Sequence, residues 1–205
     1  MGLLSSTASI VRYRINGKIE TSVKETILKS LSKFSINDEL EDEVSDKVVG
    51  WTSFSNPYHP DFSGMQFDVG SYFIFSLRID KRNISSKLIQ KHVAHASAIR
   101  LKDTGRRYLS RDEKRAVREH VVNELRMRIP ATPNVYDLLW HHDKGILFFF
   151  STLKSANEEL ETLFFKTFGF SLIRLFPYTM AELSMNLSDA QKDILLNVSP
   201  TTFTD

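Results

Sequence analysis

The sequence predicts an α+β fold, with β-α-β-β and β-β-α-β halves flanking a projecting pair of basic helices. Three features predict it. Alternating apolar residues collect in two stretches, one before residue 85 and one after residue 130. Between them the apolar residues recur at helical spacing, and no strand pattern intervenes. No repeat of solenoid length runs through the chain. The 205 residues can bury a core without help from a metal or a disulfide. The expected organisation is a discontinuous strand-rich body (residues 1–84 and 130–185), a basic helical insert (85–129) and a short helix with tail (186–205).

Residues 8–15 read as a strand that stops at the Asn16-Gly17 turn signal. Ser22-x-x-Glu25 has the capping-box pattern, in which hydroxyl and carboxylate each satisfy an exposed backbone N–H. Val23, Ile27, Leu28, Leu31 and Phe34 then follow at helical spacing. The acidic run Asp38, Glu39, Glu41, Asp42, Glu43, Asp46 has neither a turn glycine nor EF-hand spacing, so it reads as a solvated loop. Lys47–Phe54 and Gly70–Asp80 read as strands, separated by a loop marked by Asn56-Pro57, His59-Pro60 and Ser63-Gly64. In the second, Phe73, Phe75, Leu77 and Ile79 alternate with Tyr72, Ile74, Ser76 and Arg78, which suits one well-buried face.

The first helix of the insert spans Ser86 to Lys102 and stops before Asp103-Thr104-Gly105. Leu88, Ile89, His92, Val93, Ala96 and Ile99 share one side; Lys87, Lys91, His95 and Lys102 share another. The second starts at the capping box Ser110-x-x-Glu113 and runs to Ile129, where Pro130 ends it. Its apolar stripe is Val117, Val121, Val122, Leu125 and Ile129. Strands over 134–141 and 145–152 flank the loop His141-His142-Asp143-Lys144-Gly145, and Phe148-Phe149-Phe150 reads as sheet core. Ser155-x-x-Glu158 opens a further helix that Gly169 stops. Ser171–Phe176 reads as the last strand, and a capped helix Ser188–Val198 precedes a frayed polar tail.

Charge is the most informative property. Fifteen of the 27 Lys and Arg but only six of the 25 Asp and Glu fall between Arg78 and Arg128, a local net of +9 against −7 elsewhere. Segregated like charge builds a field that suits a polyanion. Arg111, Lys114, Arg115 and Arg118 recur at i, i+3, i+4 and i+7 of the second helix, with Arg106 and Arg107 in the turn before it. Cations in first helical turns oppose the macrodipole, an arrangement that makes most sense if phosphates use them. The candidate DNA-binding residues are therefore Lys87, Lys91, Lys102, Arg106, Arg107, Arg111, Lys114, Arg115 and Arg118. No zinc-finger spacing, aromatic RNA-binding signature or short helix-turn-helix turn accompanies them, so the contacts should be to phosphates and independent of sequence. An ordinary solvated helix pair is the plainer alternative; a protein–protein adaptor docking on an acidic partner is another.

Other chemistry has little footing. With no cysteine, thiol nucleophiles, disulfides and Cys-type metal sites are excluded. His141-His142-Asp143 and His92-x-x-His95 each lack a third ligand nearby in sequence. Asp68, Asp80 and Asp137 near strand ends are the weak candidates for a metal-dependent nuclease. No nucleotide-binding loop or hydrolase motif is present, so no enzymatic activity and no cofactor are expected. The apolar runs Tyr72–Leu77 and Ile146–Phe150 are too short to span a membrane, and the N-terminus lacks the basic start of a signal peptide. A cytoplasmic protein is expected.

The stretch GRRYLSRDEKRAVREHVVNELRMRIP (105–130) resembles the helical signature of the RdgC family of bacterial recombination-associated proteins. That signature is a basic turn, then a capped Leu-Ser/Thr-Arg-x-Glu-Lys helix ending near proline. The likeness continues through a strand with Trp140, a glycine turn, a second strand and Ser155-Ala156-Asn157-Glu158-Glu159-Leu160; upstream, Val11–Ile15, Gly50-Trp51 and the Gly70–Asp80 strand fit the order. The resemblance implies a non-enzymatic, nucleoid-associated protein that binds double-stranded DNA without sequence selection and restrains RecA-dependent recombination. It also implies a ring-like homodimer with a basic interior. The chain ends soon after Val198, short of the C-terminal part of longer members.

Overall fold

The computed structural model describes residues 2–17, 23–37, 46–62, 68–185 and 187–198. Its strands are β1 (Val11–Asn16), β2 (Lys47–Thr52), β3 (Asp68–Val69), β4 (Tyr72–Lys81), β5 (Thr132–His141), β6 (Ile146–Phe149) and β7 (Ser171–Arg174). Its helices are α1 (Val23–Lys33), α2 (Ser86–Thr104), α3 (Arg111–Arg128), α4 (Lys154–Phe168), α5 (Pro177–Met185) and α6 (Asp189–Leu196). The fold is α+β. Both strand-rich groups enter one antiparallel sheet in the order β2-β4-β5-β6-β1-β7, with β3 also paired to β4.

The longest ladder joins β4 to β5 over ten residues, from Tyr72↔His141 to Lys81↔Thr132. Successive side chains of a strand point to opposite faces. Phe73, Phe75, Leu77 and Ile79 therefore share a face with Leu138 and Trp140 on β5, Leu147 and Phe149 on β6, and Val11, Tyr13 and Ile15 on β1. Helices α1 and α4 cover this face with Ile27, Leu31, Ala156, Leu160, Leu163 and Phe164. Trp51 sits at the centre of the packing, edge-on to Phe75 at 5.2 Å and to Phe164 at 6.5 Å. Its indole N–H donates to the Thr167 hydroxyl at 2.8 Å, which lets a polar atom lie in the core without cost.

One polar network pins α4 to the sheet. The Tyr13 hydroxyl donates to Asn157 Oδ1 at 2.6 Å and lies 3.0 Å from Glu161 Oε1. The Asn157 amide in turn donates to the carbonyls of Ser151 and Leu153, which precede the helix. Burial, and after it the Glu161 charge, pushes the Tyr13 phenol well above its usual range.

The other face of β4 departs from the sequence expectation. Ser76, Arg78 and Asp80 are buried as well. Arg78 forks onto Asp80, with Nε 2.9 Å from Oδ1 and Nη2 2.5 Å from Oδ2, and the Tyr58 ring lies 5.9 Å from the guanidinium. Beside this pair, Asp137 accepts the Ser76 hydroxyl at 2.9 Å and the Leu3 N–H at 2.8 Å. Buried charge is costly unless paired; here the ion pair and its Nε–Oδ1 hydrogen bond supply the pairing, although Asp80 Oδ2 accepts no hydrogen bond among the described residues. The alternation was legible; the burial of its polar side was not.

Several boundaries shift for local reasons. The first strand starts at Val11, where pairing with Phe149 begins, rather than at residue 8. β2 ends at Thr52, whose hydroxyl turns to the Pro57 carbonyl. Gly70, with φ +62°, is the turn between β3 and β4, and the two-residue β3 carries no sequence pattern of its own. β6 is confined to Ile146–Phe149. Ser155 is no cap: α4 begins at Lys154 after Leu153, no side chain caps its free N–H groups, and the Asn157 amide instead ties the preceding carbonyls of Ser151 and Leu153 to the first turn. α5 occupies residues assigned to the strand-rich body, with Pro177 at the first helical position and the Thr179 hydroxyl accepting the Phe176 N–H. The Ser188 box with Gln191 does open α6. The Ser22 cap, the Ser63-Gly64 signal, Asp38 to Glu43 of the acidic run and the tail after Val198 lie outside the described residues.

Past the β2 edge, the chain after α1 runs alongside the strand. The Ile36 N–H donates to the Trp51 carbonyl at 2.9 Å, and the Trp51 N–H to the Phe34 carbonyl at 3.0 Å. Gly50 makes this approach possible, since a Cβ there would fall 2.4 Å from the Ile36 backbone.

Tyr13→Phe should destabilise the fold by about 1–3 kcal/mol, because the Asn157 carbonyl is left buried without its donor. Urea unfolding reads this directly; a change near zero would show that the network does not anchor α4.

Candidate nucleic-acid interface

The chain leaves the sheet at Lys81 and returns at Thr132, two residues paired in the ladder. Between these points α2 and α3 form an antiparallel hairpin with its own apolar cluster. Leu109, Val117, Val121 and Leu125 are buried in it, and Ile84, Leu88, Ile89, Val93, Ala96, Leu101 and Ile129 pack around them. α2 contributes no fully buried residue. Ile99, expected on its apolar side, is 49% exposed; Leu101 takes the inward contact near the tip.

Both helices are well terminated. The Ser85 side chain accepts the Leu88 N–H at the start of α2, and Gly105 ends it with φ +62°. At α3 the expected box is complete: Ser110 Oγ accepts the Glu113 N–H at 3.2 Å, and the Glu113 carboxylate accepts the Ser110 N–H at 2.8 Å. Arg106 adds an ion pair to Glu113 at 3.3 Å. The root is tied down by Asp46, the described end of the acidic run. Its carboxylate meets Arg126 at 2.7 Å near the end of α3, and its carbonyl accepts the Arg82 N–H at 3.0 Å just before α2.

All nine candidate cations are exposed. Arg115 is paired to Glu119 at 2.9 Å, one turn along α3, and Arg106 to Glu113. Lys87, Lys91, Lys102, Arg107, Arg111, Lys114 and Arg118 make no ion pair among the described residues. They do not form one compact patch. Lys102, Arg106, Arg107, Arg111 and Lys114 gather at the tip, whereas Lys87 and Lys91 lie at the root, about 20 Å away along the axis of α2. Arg100 belongs with the tip as well: it is exposed and close enough to act on the Glu113 carboxyl. Its helical angle sets it apart from Lys87, Lys91 and Lys102, so a one-face pattern overlooks it.

The alternative ligand sets are scattered. Asp68 pairs with Lys24 at 2.8 Å, Asp80 with Arg78, and Asp137 serves Ser76 and Leu3. His92 is half-buried and His95 exposed on α2. His141 is buried against the Tyr72 ring at 4.6 Å, while His142 stacks on Phe73 and meets Asp143 at 3.0 Å. The Ser71 hydroxyl, and after it the two histidines, holds the Asp143 carboxyl below its usual range. Among the described residues no three His, Asp or Glu stand together as a metal site, and no helix is long and apolar enough to cross a membrane.

Glu113 carries the pH dependence of the tip. The Ser110 backbone and side-chain hydrogen bonds, with Arg106 and Arg100 beyond them, hold its carboxyl below the usual range. A lowered value in the fold means that the cap stabilises α3 above about pH 4.3, the ordinary glutamate value, and fails as pH drops through the lowered one. An NMR titration of Glu113 should show a midpoint below 4.3 or so, with the Ser110 amide shifting in step; a midpoint at or above it refutes the cap. The chain matches no protein-family model and no curated protein.

Proposed function

We propose that the α2–α3 hairpin binds double-stranded DNA by its phosphates, without sequence selection, and that the protein thereby restrains RecA-dependent recombination. The observation that carries the binding is the set of exposed, unpaired cations on a capped hairpin with its own apolar core. Cations already in solvent lose little hydration when they meet phosphate, and each contact releases counterions. The set is Lys and Arg alone, with no base-reading motif beside it, which fits contacts that position rather than specify. The role in recombination rests on the RdgC resemblance of residues 105–130.

Replacing both Lys114 and Arg118 with Glu should weaken binding to unrelated duplexes alike, and flatten the salt dependence by roughly one log unit per lost contact. Both side chains are exposed, so stability should change by about 0.5 kcal/mol or less. An unchanged salt slope in the folded double mutant returns the hairpin to the adaptor reading. The protein should act as a homodimer, since encirclement prolongs the residence that one modest basic surface gives. Light scattering that finds a monomer both free and on DNA excludes this.

A further inference from the structure

Residues 86–129 contain a single Phe, Trp or Tyr, and it sits among the cations at the tip. Tyr108 is 81% exposed, more than any other aromatic side chain among the described residues. Its position is built. Gly105 ends α2 in the left-handed conformation, Leu109 inserts into the hairpin cluster at 7% exposure, and Ser110 is locked by Glu113. With both flanks fixed and the inward place taken by Leu109, the Tyr108 ring is held out in water. It makes no ring contact and no hydrogen bond among the described residues. Arg106, Arg107 and Arg111 are its exposed neighbours.

We propose that Tyr108 stacks on an unpaired base, so that the hairpin tip recognises single-stranded DNA where it adjoins duplex. This rests on the phosphate-binding reading of the hairpin and adds a structural preference to it. The cations can meet phosphate on any strand, but the face of the ring finds a free partner only where a base has left the stack. A π-face accepts every base, so the contact tolerates any sequence while distinguishing open from paired DNA. Cations around a stacking ring are the usual composition of single-strand sites.

The test uses the full chain and two probes at one salt concentration: a blunt duplex, and the same duplex with a single-stranded overhang carrying 2-aminopurine. Tyr108→Ala should bind the overhang probe about tenfold more weakly and the blunt duplex within about twofold of wild type. Tyr108→Trp should retain overhang binding, and 2-aminopurine fluorescence should be quenched by wild type but not by Tyr108→Ala. Equal binding of both probes by Tyr108→Ala and wild type overturns the proposal, as does an equal loss on both. Binding of neither probe by the wild type overturns the hairpin reading itself, which separates the two failures. The exposed site predicts an unchanged melting temperature for both variants, and a lowered one would place the ring in the fold instead of on the DNA.

Discussion

Everything distinctive about this protein depends on the ten-residue ladder between β4 and β5. A ladder of that length fixes the register, because a slip of one residue would turn Phe73, Phe75, Leu77 and Ile79 to the opposite face and bring Ser76, Arg78 and Asp80 into the apolar core. It also sets the end points of the helical insert one strand spacing apart. An antiparallel helix pair is the natural solution for a segment that must leave and return at the same place. The Asp46 contacts with Arg82 and Arg126 then hold its root against the sheet.

The body and the hairpin are stabilised differently, and this division is what allows the charge to concentrate. The body has a continuous core of large aromatic and aliphatic side chains, tied by the Tyr13–Asn157 network and the Trp51–Thr167 bond. The hairpin buries four residues fully and draws none of them from α2. With so little apolar surface to bury, most of the circumference of each helix is left to solvent. Dense cations cost little there, provided that caps such as Ser110–Glu113 offset their clash with the helix dipole.

Much of this was readable in the residues. The period-two alternation of β4, the capping boxes at Ser110 and Ser188 and the stop at Gly169 act within a few residues, so local pattern locates them, whereas α2 runs past the expected end at Lys102 to Thr104. What escaped involved partners far apart in the chain. The Arg78–Asp80 fork is buried because Tyr58 and the N-terminal segment near Leu3 fold over that face, which no alternation pattern can register. Ser155 satisfies the cap pattern yet falls inside the first turn, because α4 already starts at Lys154, where Asn157, engaged from the sheet side by Tyr13, ties the helix to the carbonyls of Ser151 and Leu153. Among the candidate cations, the nine positions are legible from spacing. Their division between root and tip follows only once the antiparallel packing of α2 and α3 is known, and so does the place of Arg100 beside Glu113.

The backbone running past β2 has a meaning for life at high concentration. A sheet that ends in open N–H and C=O groups offers a template for strands of other molecules, and such additions can propagate into fibres. On the β2 side, Phe34 and Ile36 already occupy groups of Trp51, and Gly50 lets them come close enough to do so. At the far side β7 is only four residues long, carries Arg174 and passes into Pro177 within three residues. One border is occupied at Trp51 and the other is brief and charged, so both edges of the sheet offer a poor template for a further strand.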